Sequence, residues 1–319
     1  MTHRKICKHL LSRIIMKLFN SLLDVIGNTP LVRVPFDSPA KIYAKLEYLN
    51  PGGSIKDRAA LYMIRQAEHL GLLKPGGTLI EASSGNQGIA TAMIGAMKGY
   101  KVIITVSEKI SEEKQKTLQA YGAQLVTCKP TMHLDDPKSY HAKAVEIHRN
   151  TPNSFMLNQY FNPTNAGAHY AMLGPEIWEQ TGGTVTHYCA AAGSGGTVSG
   201  AGKYLKERNN AIKVIAVDVP NSYRSTNKNP QPYRLEGIGV DYDTPLLNTS
   251  VIDDFFLASD EDAIAMLKTM ARNYGLLVGP SSGAVAYAAS QIAPTLTEND
   301  TLVMLFGDSG RAYLTKNFY

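Results

Sequence analysis

Asn50-Pro51-Gly52-Gly53-Ser54-Ile55-Lys56-Asp57-Arg58 sets one lysine beside a turn whose backbone N–H groups can approach an anion. Pro51 fixes φ, and the paired glycines open turn geometries closed to other residues, so Ser54 and Lys56 are held in place. A held lysine near an anion site suits Schiff-base chemistry, because desolvation and neighbouring cations lower its pKa toward the neutral amine. Alone, the stretch reads more readily as a solvated lysine, since most lysines after a Pro-Gly turn are surface groups. Its context decides between the two.

Three further loops supply that context. Glu81-Ala82-Ser83-Ser84-Gly85-Asn86-Gln87-Gly88 follows the strand-like Thr78-Leu79-Ile80 and precedes a helical run from Ile89 to Met97. Small hydroxyl and amide residues between a strand and a helix N-terminus make a cradle for carboxylate or phosphate, since free N–H groups and the helix dipole both favour an anion. Ala190-Ala191-Ala192-Gly193-Ser194-Gly195-Gly196-Thr197 repeats the arrangement before a helix from Val198 to Arg208. It is no dinucleotide fingerprint, because G-x-G-x-x-G from Gly193 would need glycine where Val198 stands, and a nicotinamide-dependent oxidoreductase drops out with it. Gly279-Pro280-Ser281-Ser282-Gly283 opens one more helical stretch. Each loop alone could be an ordinary strand-to-helix turn; four of them with one lysine argue against that reading.

Between these loops, β-branched runs alternate with helical segments. Strands are predicted at 42–45, 78–81, 101–106, 124–127, 187–192, 213–219 and 302–306, and helices at 56–70, 88–99, 111–121, 139–149, 198–208, 261–274 and 283–292. That alternation argues for parallel α/β layers. The stretch from Asn221 to Asp243, rich in Asn, Pro, Arg and Tyr, reads as a loop over the surface or the site.

The four motifs, in this order and across residues 20 to 316, resemble the fold-type II pyridoxal phosphate enzymes of the cysteine synthase and cystathionine β-synthase family. The resemblance implies a two-lobed α/β fold, tryptophan synthase β-like, with parallel sheets flanked by helices and pyridoxal 5′-phosphate in the cleft between lobes. One lobe would hold about 50–160, the other 19–49 with 161–316. Lys56 would be the Schiff-base lysine and the base that removes the Cα proton. Asn86 would hydrogen-bond the cofactor's phenolic oxygen, and Ser281 would face the pyridine nitrogen. Gly193, Ser194, Gly195, Gly196 and Thr197 would hold the 5′-phosphate through N–H groups and two hydroxyls. Ser83, Ser84, Gln87 and Gln159 would grip the substrate carboxylate, Gln87 standing where threonine is usual. Gly237, in Glu236-Gly237-Ile238-Gly239, would line the entrance for the nucleophile.

A neutral hydroxyl at Ser281 makes the ring a weaker electron sink than a carboxylate would, favouring prompt loss of a β-leaving group over transamination or racemisation. The implied reaction is β-replacement on serine or O-acetylserine through an aminoacrylate. Three segments, Asp136 to Tyr140, Glu236 to Asp241 and Asp308 to Lys316, resemble cystathionine β-synthase, which uses homocysteine. Others, Gly174 to Trp178 and Gly200 to Glu207, look like cysteine synthase, which uses sulfide. Homocysteine is the favoured reading, cysteine synthase the alternative, and a serine or threonine dehydratase a more distant one. A purely binding role is disfavoured by the intact lysine and phosphate loop. The resemblance also implies a homodimer and, for a cysteine synthase, docking of a serine acetyltransferase C-terminal peptide.

A chain of 319 residues with 44% hydrophobic and 18% charged residues is ordinary for a globular enzyme. The net charge of +5 lies entirely in residues 1–18, where Arg4, Lys5, Lys8, Arg13 and Lys17 meet no acid, so the remainder sums to zero. No basic face for nucleic acid is expected, nor any membrane span. Residues 1–18 read as a disordered or non-essential extension. Cys7, Cys128 and Cys189 show no metal-like or C-x-x-C spacing, which fits a reducing, cytoplasmic setting without a metal site; Cys7 and His9 gain no support from spacing as haem ligands.

Overall fold

A computed structural model describes residues 18–131, 134 and 136–319, so the readings placed on residues 1–17, Cys7 and His9 included, lie outside the described residues. Two sheets organise the rest. One is four-stranded and wholly parallel, in the order β5-β4-β3-β6, built from β3 (Thr78–Ala82), β4 (Lys101–Ser107), β5 (Gln124–Cys128) and β6 (Ser154–Met156). The other runs β1-β2-β10-β7-β8-β9, from β1 (Leu31–Arg33), β2 (Lys41–Leu46), β7 (His187–Ala191), β8 (Lys213–Asp218), β9 (Asp254–Leu257) and β10 (Thr301–Phe306); only the β1–β2 pair is antiparallel. β3 and β10 are buried along their whole length, as parallel strands covered by helices on both faces must be.

The helices are α1 (Lys56–His69), α2 (Asn86–Lys98), α3 (Glu112–Ala120), α4 (Tyr140–Asn150), α5 (Thr164–Ala168), α6 (Gly174–Gln180), α7 (Gly196–Arg208), α8 (Asp260–Tyr274) and α9 (Pro280–Ile292). All seven strands and seven helices expected from the sequence form. Three strands were not expected: β1, β6 and β9, of three or four residues each, are too short to show a period of two. The helical run from Thr164 to Gln180 was not expected either, and Pro163 and Pro175 interrupt its pattern. Pro175 instead sits in the first turn of α6, where a missing N–H costs least, and a π-turn, His169–Leu173, joins α5 to α6.

Apolar side chains of β2, β10, α8 and α9 form one core; a second lies between α1, α2 and the four-stranded sheet, and a third under α7. A buried ion network ties the lysine-bearing helix to the larger sheet. On α1, Arg58 donates from Nε to Glu47 at 2.7 Å and from Nη1 to Glu176 at 2.6 Å. Lys45 of β2 completes it, 2.8 Å from the other Glu176 oxygen. The strands β3, β7 and β10 all end at one cleft, and each releases a loop into it, as expected where open parallel sheets bind ligands.

Candidate active site

The cleft is a cavity of about 330 Å³ whose wall is shared, at Lys56, Asn86, Ser194 and Gly237, with a smaller pocket of about 50 Å³. Ser83, Ser84, Gln87, Gln159 and Gly193 line the larger space. Gly195, Thr197 and Ser281 line the smaller one, joined by Asp308. Of the residues given a binding or catalytic role from the sequence, only Gly196 lines neither; it packs against the Asn165 carboxamide, which a Cβ there would meet at 2.7 Å. Four stretches spread over more than two hundred residues are thus brought around one lysine. The loop read from Asn221 to Asp243 closes one side, contributing Tyr233 and residues 235–242.

The helices entering the cleft share with α5 and α6 a start without a side-chain cap, unlike three others. On the outside, α3, α4 and α8 start at Ser111, Ser139 and Ser259, each accepting a backbone N–H with its side chain. At the cleft, α1, α2, α7 and α9 start at Ile55, Gly85, Gly195 and Gly279, with no side-chain cap. At α2 and α7 N–H groups of the first turn are left for a ligand, and the helix dipoles favour an anion there, whereas at α1 the Lys56 N–H already donates to the Ser54 hydroxyl at 3.2 Å. Gly195 has φ of +87°, and a Cβ there would lie 2.7 Å from the Leu247 backbone, so the loop holds a shape that only glycine allows. These features fit a phosphate at the start of α7 and a carboxylate at the start of α2.

Charge and hydrogen bonding grade the site. Burial pulls the Lys56 amine below the usual lysine value, opposed by the fields of Asp308 and Glu81. Burial pushes the Glu81 carboxyl up to about 8, although it accepts the Asn158 N–H at 2.8 Å. That bond holds Asn158 at φ of +55° and presents its neighbour Gln159 to the cleft. Asp308 is 5% exposed and accepts from Asn86 Nδ2 at 2.7 Å and from the Tyr313 hydroxyl at 2.6 Å; burial raises its carboxyl against both bonds. Ser83 accepts the Gly85 N–H at 3.2 Å and Ser84 the Ser107 N–H at 2.9 Å, so both hydroxyl protons are spare. The Gln87 carboxamide is 1% exposed, with neither polar atom paired in this structure.

Glu81, Lys114, His169 and Asp308 were not assigned as site residues from the sequence. Asp308 had a signal, since it follows strand β10 as Ser83 follows β3. Lys114 had none, since it lies on α3 among the charged Glu112, Glu113 and Lys116. Among the described residues no cluster of His, Cys, Asp or Glu is arranged to hold a metal, and no helix is long and apolar enough to cross a membrane.

The family described as "Pyridoxal-phosphate dependent enzyme" matches residues 22–308. The chain is 42% identical over 309 residues to the cystathionine β-synthase of Apis mellifera, covering 94% of this chain but 61% of that protein. It is 38% identical over 304 residues to a cysteine synthase of Staphylococcus aureus, covering 94% of this chain and 97% of that one. The structure of an O-acetylserine dependent cystathionine β-synthase from Helicobacter pylori superposes with a TM-score of 0.88 at 37% identity, covering 95% of this chain and 100% of the other.

Proposed function

The chain belongs to the pyridoxal-phosphate dependent enzyme family, among the cystathionine β-synthases and cysteine synthases, and from that premise we propose that it replaces the β-substituent of serine or O-acetylserine with the sulfur of homocysteine. The cofactor, when bound, supplies the electron sink that lets the Cα proton leave. The protein's residues do the rest. Lys56 holds the cofactor, and its amine, drawn toward neutrality by burial, takes the proton from Cα. Asn86 is held by Asp308 through one N–H, leaving the other for the phenolic oxygen. Ser83, Ser84 and Gln159, with the N-terminus of α2, receive the substrate carboxylate; Gln87 must turn its unpaired carboxamide toward the ligand to join them. Gly193 to Thr197 take the phosphate, and Ser281 keeps a neutral hydroxyl at the ring nitrogen. Ser281→Asp is therefore expected to slow replacement roughly tenfold or more and raise the share of side products. Product analysis at equal conversion checks it; unchanged partitioning would remove the electron-sink argument.

One observation carries the choice of nucleophile. Lys114 and Glu236 form an ion pair of 2.6 Å on the cleft wall, and Lys316 sits 2.8 Å from the other Glu236 oxygen. Burial alone would raise the Glu236 carboxyl, but Lys114 and Lys316 outweigh it and hold it below the usual range. Opposite fixed charges at an entrance suit a nucleophile that carries both an ammonium and a carboxylate. Homocysteine carries both, and sulfide carries neither. The test offers serine and O-acetylserine with sulfide and homocysteine together, and identifies products by mass spectrometry. Predominant cystathionine is expected, with Glu236→Ala raising KM for homocysteine roughly tenfold and leaving the sulfide reaction unchanged. Predominant cysteine would make the enzyme a cysteine synthase, and pyruvate without a thiol product a dehydratase. The same proposal includes a division into lobes at about 50–160 and 19–49 with 161–316, supported by the separation of the two sheets, and a homodimer.

A further inference from the structure

His169 belongs to none of the four motifs, yet it touches the loop that opens α7. It starts the π-turn, is 0% exposed, and its Nε2 lies 3.2 Å from the Thr197 hydroxyl oxygen. The approach depends on glycine at position 200, where a Cβ would drive into the Ala166 carbonyl oxygen and the His169 side chain. Thr197 in turn lines the smaller pocket with Lys56 and Ser281. The other ring nitrogen, Nδ1, is buried without a hydrogen-bond partner among the described residues.

That inventory fixes where the proton sits. Burial first, then the positive fields of Lys56 and Arg58, hold the imidazole well below its usual pKa, so the ring is neutral with one N–H and one bare nitrogen. With the proton on Nδ1, a buried donor goes unanswered and Thr197 spends its single hydroxyl hydrogen on Nε2. The threonine oxygen then turns lone pairs toward the anion-binding end of α7. With the proton on Nε2, the ring donates to Thr197 and the hydroxyl hydrogen is free to point into the pocket. An anion needs a donor, so only the second arrangement serves it.

We propose that His169, as its Nε2–H tautomer, is a positioning residue that makes the Thr197 hydroxyl a hydrogen-bond donor to the cofactor phosphate at the start of α7. The inference rests on placing that phosphate on Gly193 to Thr197 and goes beyond it. The experiment measures cofactor dissociation and the ³¹P resonance of the bound phosphate in reconstituted wild-type, Thr197→Val, His169→Leu and double-variant holoenzymes. Each single change is expected to weaken retention by roughly ten- to a hundredfold and to shift the resonance in the same direction, with the double variant no worse than the worse single one. His169→Gln, which keeps an N–H on a side chain of similar reach, is expected to restore most of the affinity. If Thr197→Val has no effect, the placement of the phosphate itself fails. If Thr197→Val acts but His169→Leu does not, or the two add in full, the placement stands and the role of His169 falls. The wild-type holoenzyme gives a reading independent of any variant's folding. With ¹⁵N-labelled histidine, and the ring assigned by its nuclear Overhauser contact to Thr197, a proton on Nε2 is expected and a proton on Nδ1 overturns the proposal.

Discussion

Lys56→Ala is expected to give a folded protein that lacks the visible absorbance of lysine-bound cofactor and turns over roughly a thousandfold more slowly or worse. The chemical loss is direct, because among the described residues no other amine stands at the junction of the two pockets. The structural loss is small. Lys56 occupies the first position of α1, where alanine is a good helix former. Removing its charge takes a favourable field from Asp308 and Glu81, but burial already raises both carboxyls, and they answer by holding protons more tightly. Spectra, thermal melts and turnover together check this. A variant that kept the absorbance and the activity would sink the central assignment; one that simply unfolded would contradict the structural half.

Arg58→Ala is expected to cost about 3–5 kcal/mol of stability, the scale for breaking a buried ion pair from one side. Arg58 is fully buried and answers two carboxylates, so its loss leaves the Glu47 charge buried and uncompensated, with only Lys45 nearby. The pH dependence has a definite sign. In the wild type, burial would raise the Glu47 carboxyl, but the Arg58 guanidinium overrides it and the folded pKa lies below the ordinary value. That contribution is present above the unfolded pKa and is lost as pH falls through the folded one. In the variant, burial acts unopposed by Arg58, the folded pKa rises, and acidification relieves the penalty. The stability gap between the two proteins should therefore narrow between neutral pH and about pH 5. Urea denaturation at both ends of that range measures it. A gap below about 1 kcal/mol, as for a surface pair, or one that ignores pH, would show that the network is solvated and weak.

The loops that converge on the cleft were the most legible part of the chain, because turns between strand and helix are local objects. Glycine, hydroxyl and amide residues between a strand and a helix declare uncapped N–H groups whatever the rest of the molecule does. The strands expected at 78–81 and 302–306 were equally plain, since Leu79-Ile80 and the run from Leu302 to Phe306 are apolar, as in parallel strands covered on both faces. Short strands and the proline-marked helix from Thr164 to Gln180 were not, because three residues carry no period and a proline in a first turn looks like one that ends a helix.

By itself, then, the sequence determined the α/β layering and the places of the lysine and the four loops around it, each from what neighbouring residues do to their own backbone, while its resemblance to a known family supplied the cofactor. Tertiary structure alone decided which side chains act on those loops from afar. Asp308 reaches Asn86 across 222 positions, Glu236 meets Lys114 across 122, and His169 meets Thr197 across 28. Nothing in local spacing marks such pairs. Their members come together because separate strands end at one cleft, and their charges and protons take their values from the burial that this convergence creates.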